Sequence, residues 1–274
     1  MKLSIKEKKG VEKKLIEYLL NNYPEVIKRR ENELKINEKI SKWYLLGAYI
    51  GDFSRIRVNE VSVMIHFTST NYYGLIWGYR VFSSLGNVSM NITLLNRFGK
   101  NLRVALRVTL PRNEYEELAW RKDEIIDYVV RCVEKTGNVE ILLDFISGLC
   151  DADGNIGYYY TKSKSVYRIC LRIFSTKYKW LVRIKELLNK YNYYTRIGRD
   201  RKIMYIRTYN TDLLTRLKLL HPEKYTKLES VKRFKKTTFA KEEFEKYVKP
   251  YWPKHVRGGS SKWLLKYFPE TPPP

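Results

Sequence analysis

The sequence predicts an α+β protein of two pseudo-symmetric αββαββα repeats. Three observations carry that expectation: a recurring motif, strands of period two behind each copy, and a helix-like stretch behind each of two Ser-Thr pairs. Leu45-Leu46-Gly47-Ala48-Tyr49-Ile50-Gly51-Asp52-Phe53 aligns with Ile146-Ser147-Gly148-Leu149-Cys150-Asp151-Ala152-Asp153-Gly154 at an offset of 101 residues. Ser69-Thr70 then aligns with Ser175-Thr176 at an offset of 106.

Taken in order, residues 1–40 form an amphipathic helical extension, with Leu15, Ile16, Leu19 and Leu20 among Lys and Glu and a break at Tyr23-Pro24. The first repeat occupies 41–136 and opens with the motif helix. Its helix from Tyr72 to Leu85 stops at Gly86, and from Leu102 to Leu110 every second residue is apolar around Arg103 and Arg107. Thr136 to Asn138 is the shortest break. The second repeat, 137–240, carries the same order, with Tyr167, Ile169, Leu171 and Ile173 alternating with Arg168, Cys170 and Arg172. A further strand sets Ile203, Tyr205, Arg207 and Tyr209 against Met204, Ile206 and Thr208. The tail, 241–274, interleaves aromatics with cations, which suits either a nucleic-acid arm or packing back onto the second repeat.

The 274 residues include 53 Lys+Arg against 29 Asp+Glu, a formal net charge of +24. That charge is segregated. Residues 55–110 hold seven basic residues and one acidic, and 155–210 hold fourteen and two, whereas 111–144 hold five and nine. Basic strands point to a polyanionic partner, and Arg and Tyr on one sheet face offer phosphate contacts and base readout. The candidate DNA-contacting residues are Arg55, Arg57, Arg103, Arg107, Arg168, Arg172, Lys177, Tyr205, Arg207 and Tyr209. With 44% hydrophobic and 14% aromatic residues the chain is too apolar for a disordered basic tail. It has no apolar run of about 18 residues and no signal-peptide pattern, so the expectation is a soluble, intracellular, cytoplasmic protein that meets no membrane. Cys132, Cys150 and Cys170 lack CxxC spacing and His66, His221 and His255 are scattered, so any metal must be held by carboxylates.

Each motif has small residues four apart, Gly47 and Gly51 in one, Gly148 and Ala152 in the other. That spacing puts them on one helix face, where two backbones can approach closely. Packed together, the helices bring Asp52 and Asp153 side by side. Two such carboxylates repel, so a proton or cations must come between them. Divalent cations on hard oxygens, with phosphate and water, make a magnesium site able to hydrolyse a phosphodiester. A calcium loop at 151–155 is excluded, because Ile156 stands where that loop needs Gly.

These residues resemble the LAGLIDADG homing endonucleases in their single-chain, two-motif form, over roughly residues 41–236. The second motif is the specific match; the first has Ile50 and Phe53 in place of Asp and Gly. The resemblance implies a DNA-binding saddle with the two motif helices packed at its centre, and a staggered double-strand cut in a long site with short 3′ overhangs. It maps the metal-binding acids to Asp52 and Asp153, beside Gly51 and Ala152, with two or three Mg2+ shared between them. The surrounding polar positions map to Thr70 and Thr176, the later lysine to Lys227, and its first-half counterpart to Arg121 or Lys122. Asp151, opposite Ile50, is assigned a capping or structural role. The implied partner is duplex DNA bound by a monomer, and the absence of an intein's terminal residues favours an intron-encoded gene. An RNA maturase acting on intron RNA is the alternative, against which stands the retention of both acids.

Overall fold

The computed structural model describes residues 40–69, 72–95, 101–201 and 203–252, without the side chains at 72, 90–95 and 101–104. Most of the expected amino-terminal extension, Thr70, the Arg103 side chain and the tail beyond Trp252 lie outside the described residues.

The elements run α1 (Lys42–Ile50), β1 (Ser54–Val58), β2 (Ser62–Ser69), α2 (Tyr72–Ser83), β3 (Val88–Leu95), β4 (Asn101–Pro111) and α3 (Lys122–Thr136). The second series is α4 (Val139–Asp153), β5 (Gly154–Thr161), β6 (Val166–Ser175), α5 (Tyr178–Lys190), β7 (Arg196–Asp200), β8 (Ile203–Thr208) and α6 (Thr211–Arg216). It is followed by α7 (Pro222–Phe234), β9 (Thr238–Ala240) and α8 (Lys241–Tyr247). The helix ends follow from local chemistry. The Ser41 hydroxyl accepts from Tyr44 N at the start of α1, and Asn138 Oδ1 accepts from Glu140 N at the start of α4. Between α3 and α4, Gly137 takes the left-handed conformation (φ 66°) and donates to Val133 O, which stops α3 within the break expected at 136–138. Pro222 fills the first position of α7, where its missing N–H costs nothing.

The two sheets are antiparallel and share one topology, β1-β2-β4-β3 and β5-β6-β8-β7, as the α+β repeat requires. In the first, Val63, Ile65 and Phe67 of β2 and Leu106, Val108 and Leu110 of β4 are buried, and α2 contributes Leu75, Ile76, Trp77, Val81 and Phe82 to the core. In the second, Ile156, Ile169, Leu171, Ile173 and Ile206 are buried with Leu181, Ile184, Leu187 and Leu188 of α5. Every second strand residue thus faces a helix, and the intervening ones form the opposite face.

Residues Ser54–Arg112 gather into one compact unit, while Ser41–Phe53 joins the chain from Asn113 onward in the other. The motif helix α1 therefore clusters with the second repeat, because its main packing partner is α4. An ideal Cβ on Gly47 would lie 2.0 Å from Phe145 O, and one on Gly148 would lie 2.0 Å from Tyr44 O. These two contacts are related by the same 101-residue offset as the motifs. Neither position has room for a methyl group, so the backbones meet only because both residues are glycine. The start of the tail also packs inward: Trp252 meets the Tyr158 ring edge-on at 5.2 Å, and Tyr167 stacks on Phe244 at 4.3 Å. Replacing Gly148 by Ala should push α1 and α4 apart and destabilise the fold by about 1–3 kcal/mol. Denaturant unfolding at unchanged m-value measures this, and an unshifted midpoint would show that the helices do not depend on this contact.

Candidate active site and nucleic-acid face

Because α1 and α4 cross at the glycines, their carboxy-terminal ends lie together. A Cβ on Gly51 would sit 2.3 Å from the Ala152 methyl and 3.3 Å from Asp153 Oδ2. The two ends are not identical. Helix α4 runs through Asp153, and Gly154 passes so close to Cys150 O that a Cβ there would come within 2.4 Å of it. Helix α1 stops at Ile50, with Asp52 N and Phe53 N both donating to Ala48 O, so the chain has turned before Phe53 and its side chain is fully buried. Phe53 is accommodated for that reason.

The acids sit in a partly dehydrated, charged setting. Asp153 is pushed up to about 6, first by lost hydration and then by the charge of Asp52, with Lys224 and Lys122 opposing. Asp52 is also raised, again chiefly by lost hydration, against the pull of the same two lysines. Lys122 is lowered by burial, which outweighs its attraction to Asp153 and Asp52. Its ammonium donates to Ile50 O at 2.8 Å and Gly51 O at 3.3 Å, and lies 5.4 Å from the Tyr49 ring centre. The Lys224 ammonium does the corresponding work on the other helix, donating to Cys150 O, Asp151 O and Ala152 O at 2.9, 2.6 and 3.0 Å. Each lysine thus neutralises the negative end of one motif helix and stands beside the acid pair.

Of the cations singled out from sequence, Lys122 reaches the acids' helix end. Arg121 caps α3, its side chain exposed and paired with Glu124 at 3.4 Å. Lys227 is held elsewhere, buried against Glu223 at 2.6 Å with the Trp252 ring 5.9 Å away. The lysine that sequence reading missed is Lys224, which follows Lys122 by 102 residues, one more than the motif offset. Its place is fixed by a stripe along α4. Glu140 and Asp144 bind Lys218 at 3.2 and 3.0 Å, Ser147 Oγ accepts from Lys218 N at 2.9 Å, and Asp151 accepts from Leu220 N. Asp151 also accepts from the Tyr44 hydroxyl at 2.5 Å and is almost wholly buried. Thr176 is exposed at the end of β6, and Lys177 is exposed where α5 begins.

The remaining candidates divide by sheet face. In the first unit Arg107 lies opposite His66 and Ser89, on the face turned from the buried leucines. A register shift between Arg55 and Arg57 sets Arg57 beside Met64 on that face and turns Arg55 to the other, beside Ile65. In the second unit Arg168, Arg172, Tyr205 and Arg207 share one face, and Arg196 pairs with Arg207 across β7. Tyr209 follows β8 at the same parity. The Arg172 guanidinium is sandwiched between Tyr159 at 4.4 Å and Tyr205 at 5.2 Å. Among the described residues Arg172 Nε, Arg168 Nε and Arg107 Nε are buried without a hydrogen-bond partner, and no carboxylate pairs with these arginines. Such a face presents stiffened, uncompensated guanidinium groups to an anion.

No family model and no curated protein sequence matches the chain. Solved structures with similarity to it include I-DmoI in complex with DNA and Mn, at 18% identity over 63% of this chain and 91% of that one, TM-score 0.39. Another is the LAGLIDADG meganuclease I-AabMI bound to uncleaved DNA, at 14% identity, 78% and 98% coverage and TM-score 0.46. A third is the meganuclease I-SmaMI bound to uncleaveable DNA, at 13% identity, 72% and 91% coverage and TM-score 0.45.

The raised Asp153 carboxyl has a consequence for stability. Below its ordinary value of 3.8 it is protonated in both states and its folded-state advantage is fully present; as pH rises through about 6 that advantage is lost. Asp153→Asn should therefore be more stable than the parent by about 1–3 kcal/mol at pH 8 in chelator, with the difference shrinking toward pH 4. Unfolding curves at the two pH values check this, and a pH-independent difference would remove repulsion and dehydration as its cause.

Proposed function

We propose that the protein is a site-specific, divalent-metal-dependent DNA endonuclease of the LAGLIDADG homing type, acting as a monomer and making a staggered double-strand cut. The observation that carries this reading is the pair of carboxylates Asp52 and Asp153 at apposed helix ends, each helix end bound by its own lysine. A binding protein gains nothing from two partly dehydrated acids that repel each other. An enzyme working on phosphodiesters does, because oxygen donors whose charge is under-compensated fit a hard cation such as Mg2+. Asp52 and Asp153 would hold it, next to the Gly51 and Ala152 carbonyls, and when bound it would supply Lewis-acid polarisation of the phosphate and a water more acidic than bulk water.

The chain's own groups complete the chemistry. Lys122 and Lys224 place positive charge where a phosphoryl group gains negative charge, and they are fixed in position by their carbonyl contacts. The arginine and tyrosine faces supply phosphate contacts and base-edge donors for a duplex partner. One acid from each motif serves each strand, which fits a double-strand cut by one chain. An origin in a mobile intron and an intracellular site of action belong to the same reading.

A library of randomised duplexes incubated with the full chain, in Mg2+, in Mn2+ or in chelator, and sequenced at new ends tests it. Cut ends with a constant short 3′ stagger are expected with either metal and none with chelator; tight binding of intron RNA with no cut under any condition would replace this reading with the maturase. Asp52→Asn and Asp153→Asn should abolish cutting while leaving DNA affinity within a few fold, read by gel shift alongside cleavage. Lys224→Met should slow cutting by roughly 100-fold or more, whereas Lys227→Met should instead lower stability through loss of the buried Lys227–Glu223 ion pair. Single-turnover rates together with unfolding midpoints separate the two, and the reverse pattern would return the role to Lys227.

A further inference from the structure

Strand β6 changes partner along its length. It pairs with β8 from Leu171 (opposite Thr208) to Ser175 (opposite Met204), but with β9 from Val166 to Arg168, and Ile169 N donates to Thr237 O at the join. Past Thr208 the chain leaves the sheet and turns into α6, whose start is capped by Asn210. A cleft of about 600 Å3 opens at this fork, lined by Arg168, Arg196, Arg207, Tyr194, Tyr209 and Asn210 among others. Its volume is that of a small-ligand site. Three arginines line it, none paired with a carboxylate among the described residues, and the Arg168 Nε is buried without a partner. Arg207 is held over the Tyr209 ring at 5.5 Å. Tyr194, also in the lining, is 71% exposed, so its ring is open to a ligand from solvent.

The open part of the sheet face, around Arg172 and Tyr205, suits the groove of a duplex, but its concave end lined by Arg168, Arg196 and Arg207 does not, because stacked base pairs cannot enter it. An unstacked nucleotide can: its phosphate matches the guanidinium cluster and its base matches the ring. We propose that this cleft holds one unpaired nucleotide of a single-stranded segment, with the phosphate against Arg168, Arg196 and Arg207 and the base stacked on Tyr194. The proposal rests on the reading of the protein as a nucleic-acid enzyme but needs no cleavage. The unpaired nucleotide can come from DNA or from RNA, which share this chemistry.

Binding of the full chain to a 5′-phosphorylated deoxytetranucleotide, its unphosphorylated twin and its ribonucleotide twin, each by fluorescence anisotropy, tests it beside a blunt duplex of random sequence. Tyr194→Ala should weaken tetranucleotide binding roughly 5- to 100-fold and duplex binding less than about twofold, and Tyr194→Phe should restore the loss. Arg196→Ala should lower the salt slope of tetranucleotide binding by about 0.7. Loss of the 5′-phosphate should weaken binding, and a preference between the deoxy and ribo forms identifies the natural source. No measurable tetranucleotide binding, or equal losses on duplex and single strand in Tyr194→Ala, would overturn the proposal. Because cutting is not read, an inactive enzyme that still binds the tetranucleotide leaves this site standing, and an active one that does not bind it removes only this site.

Discussion

The contact of two backbones at Gly47 and Gly148 governs this protein. Each glycine lies against a carbonyl of the other helix at a distance that admits no side chain. That approach joins α1 to the second repeat and lays the two helix ends together. The proximity of Asp52 and Asp153 follows from it, and so do their lost hydration and mutual repulsion, which hold Asp153 up to about 6. A fold selected for stability alone would not keep that pair. In the proposed function that electrostatic cost serves a phosphodiester reaction.

Two lysines offset that cost in different ways. Lys122 is delivered by the start of α3, directly after a short turn whose Glu117 pairs with Lys42 of α1. Lys224 is delivered by a longer route, along Glu140, Asp144, Ser147 and Asp151, which are spaced along α4 so that all four meet the chain at 218–220. The first motif has Ile50 where the second has Asp151, so only the second helix carries this polar anchor. The two halves reach equivalent carbonyl contacts from unequal scaffolds. The sheets show a similar inequality: the second face holds Arg168, Arg172, Arg196 and Arg207, stiffened by tyrosines, while the described part of the first holds Arg57 and Arg107 beside His66.

Much of this was legible in the residues themselves. The α+β class and the strand faces rest on local periodicities, which a chain carries in its order of side chains. The pairing of small residues four apart likewise announced a close helix crossing. The alternation of Arg168 and Arg172 against Ile169, Leu171 and Ile173 sorts one strand into a core side and an arginine side, although Cys170 between the two arginines is itself buried. Arg55 escaped this logic, because a single bulge in β1 reverses its parity and no periodic pattern records a bulge.

The choice between Lys224 and Lys227 lay beyond the sequence for a different reason. Both sit on one helix a turn apart, and which of them meets the acids depends on the angle at which α7 arrives, set by hydrogen bonds from a segment some 70 residues away in the chain. The same holds for the fork in β6 and the cleft it opens, which exist because β9 returns to fill a lane that β8 vacates. Periodicity fixes which face of an element is buried; the meeting of particular side chains across distant segments is fixed by the path of the folded backbone, and no spacing along the chain encodes that path.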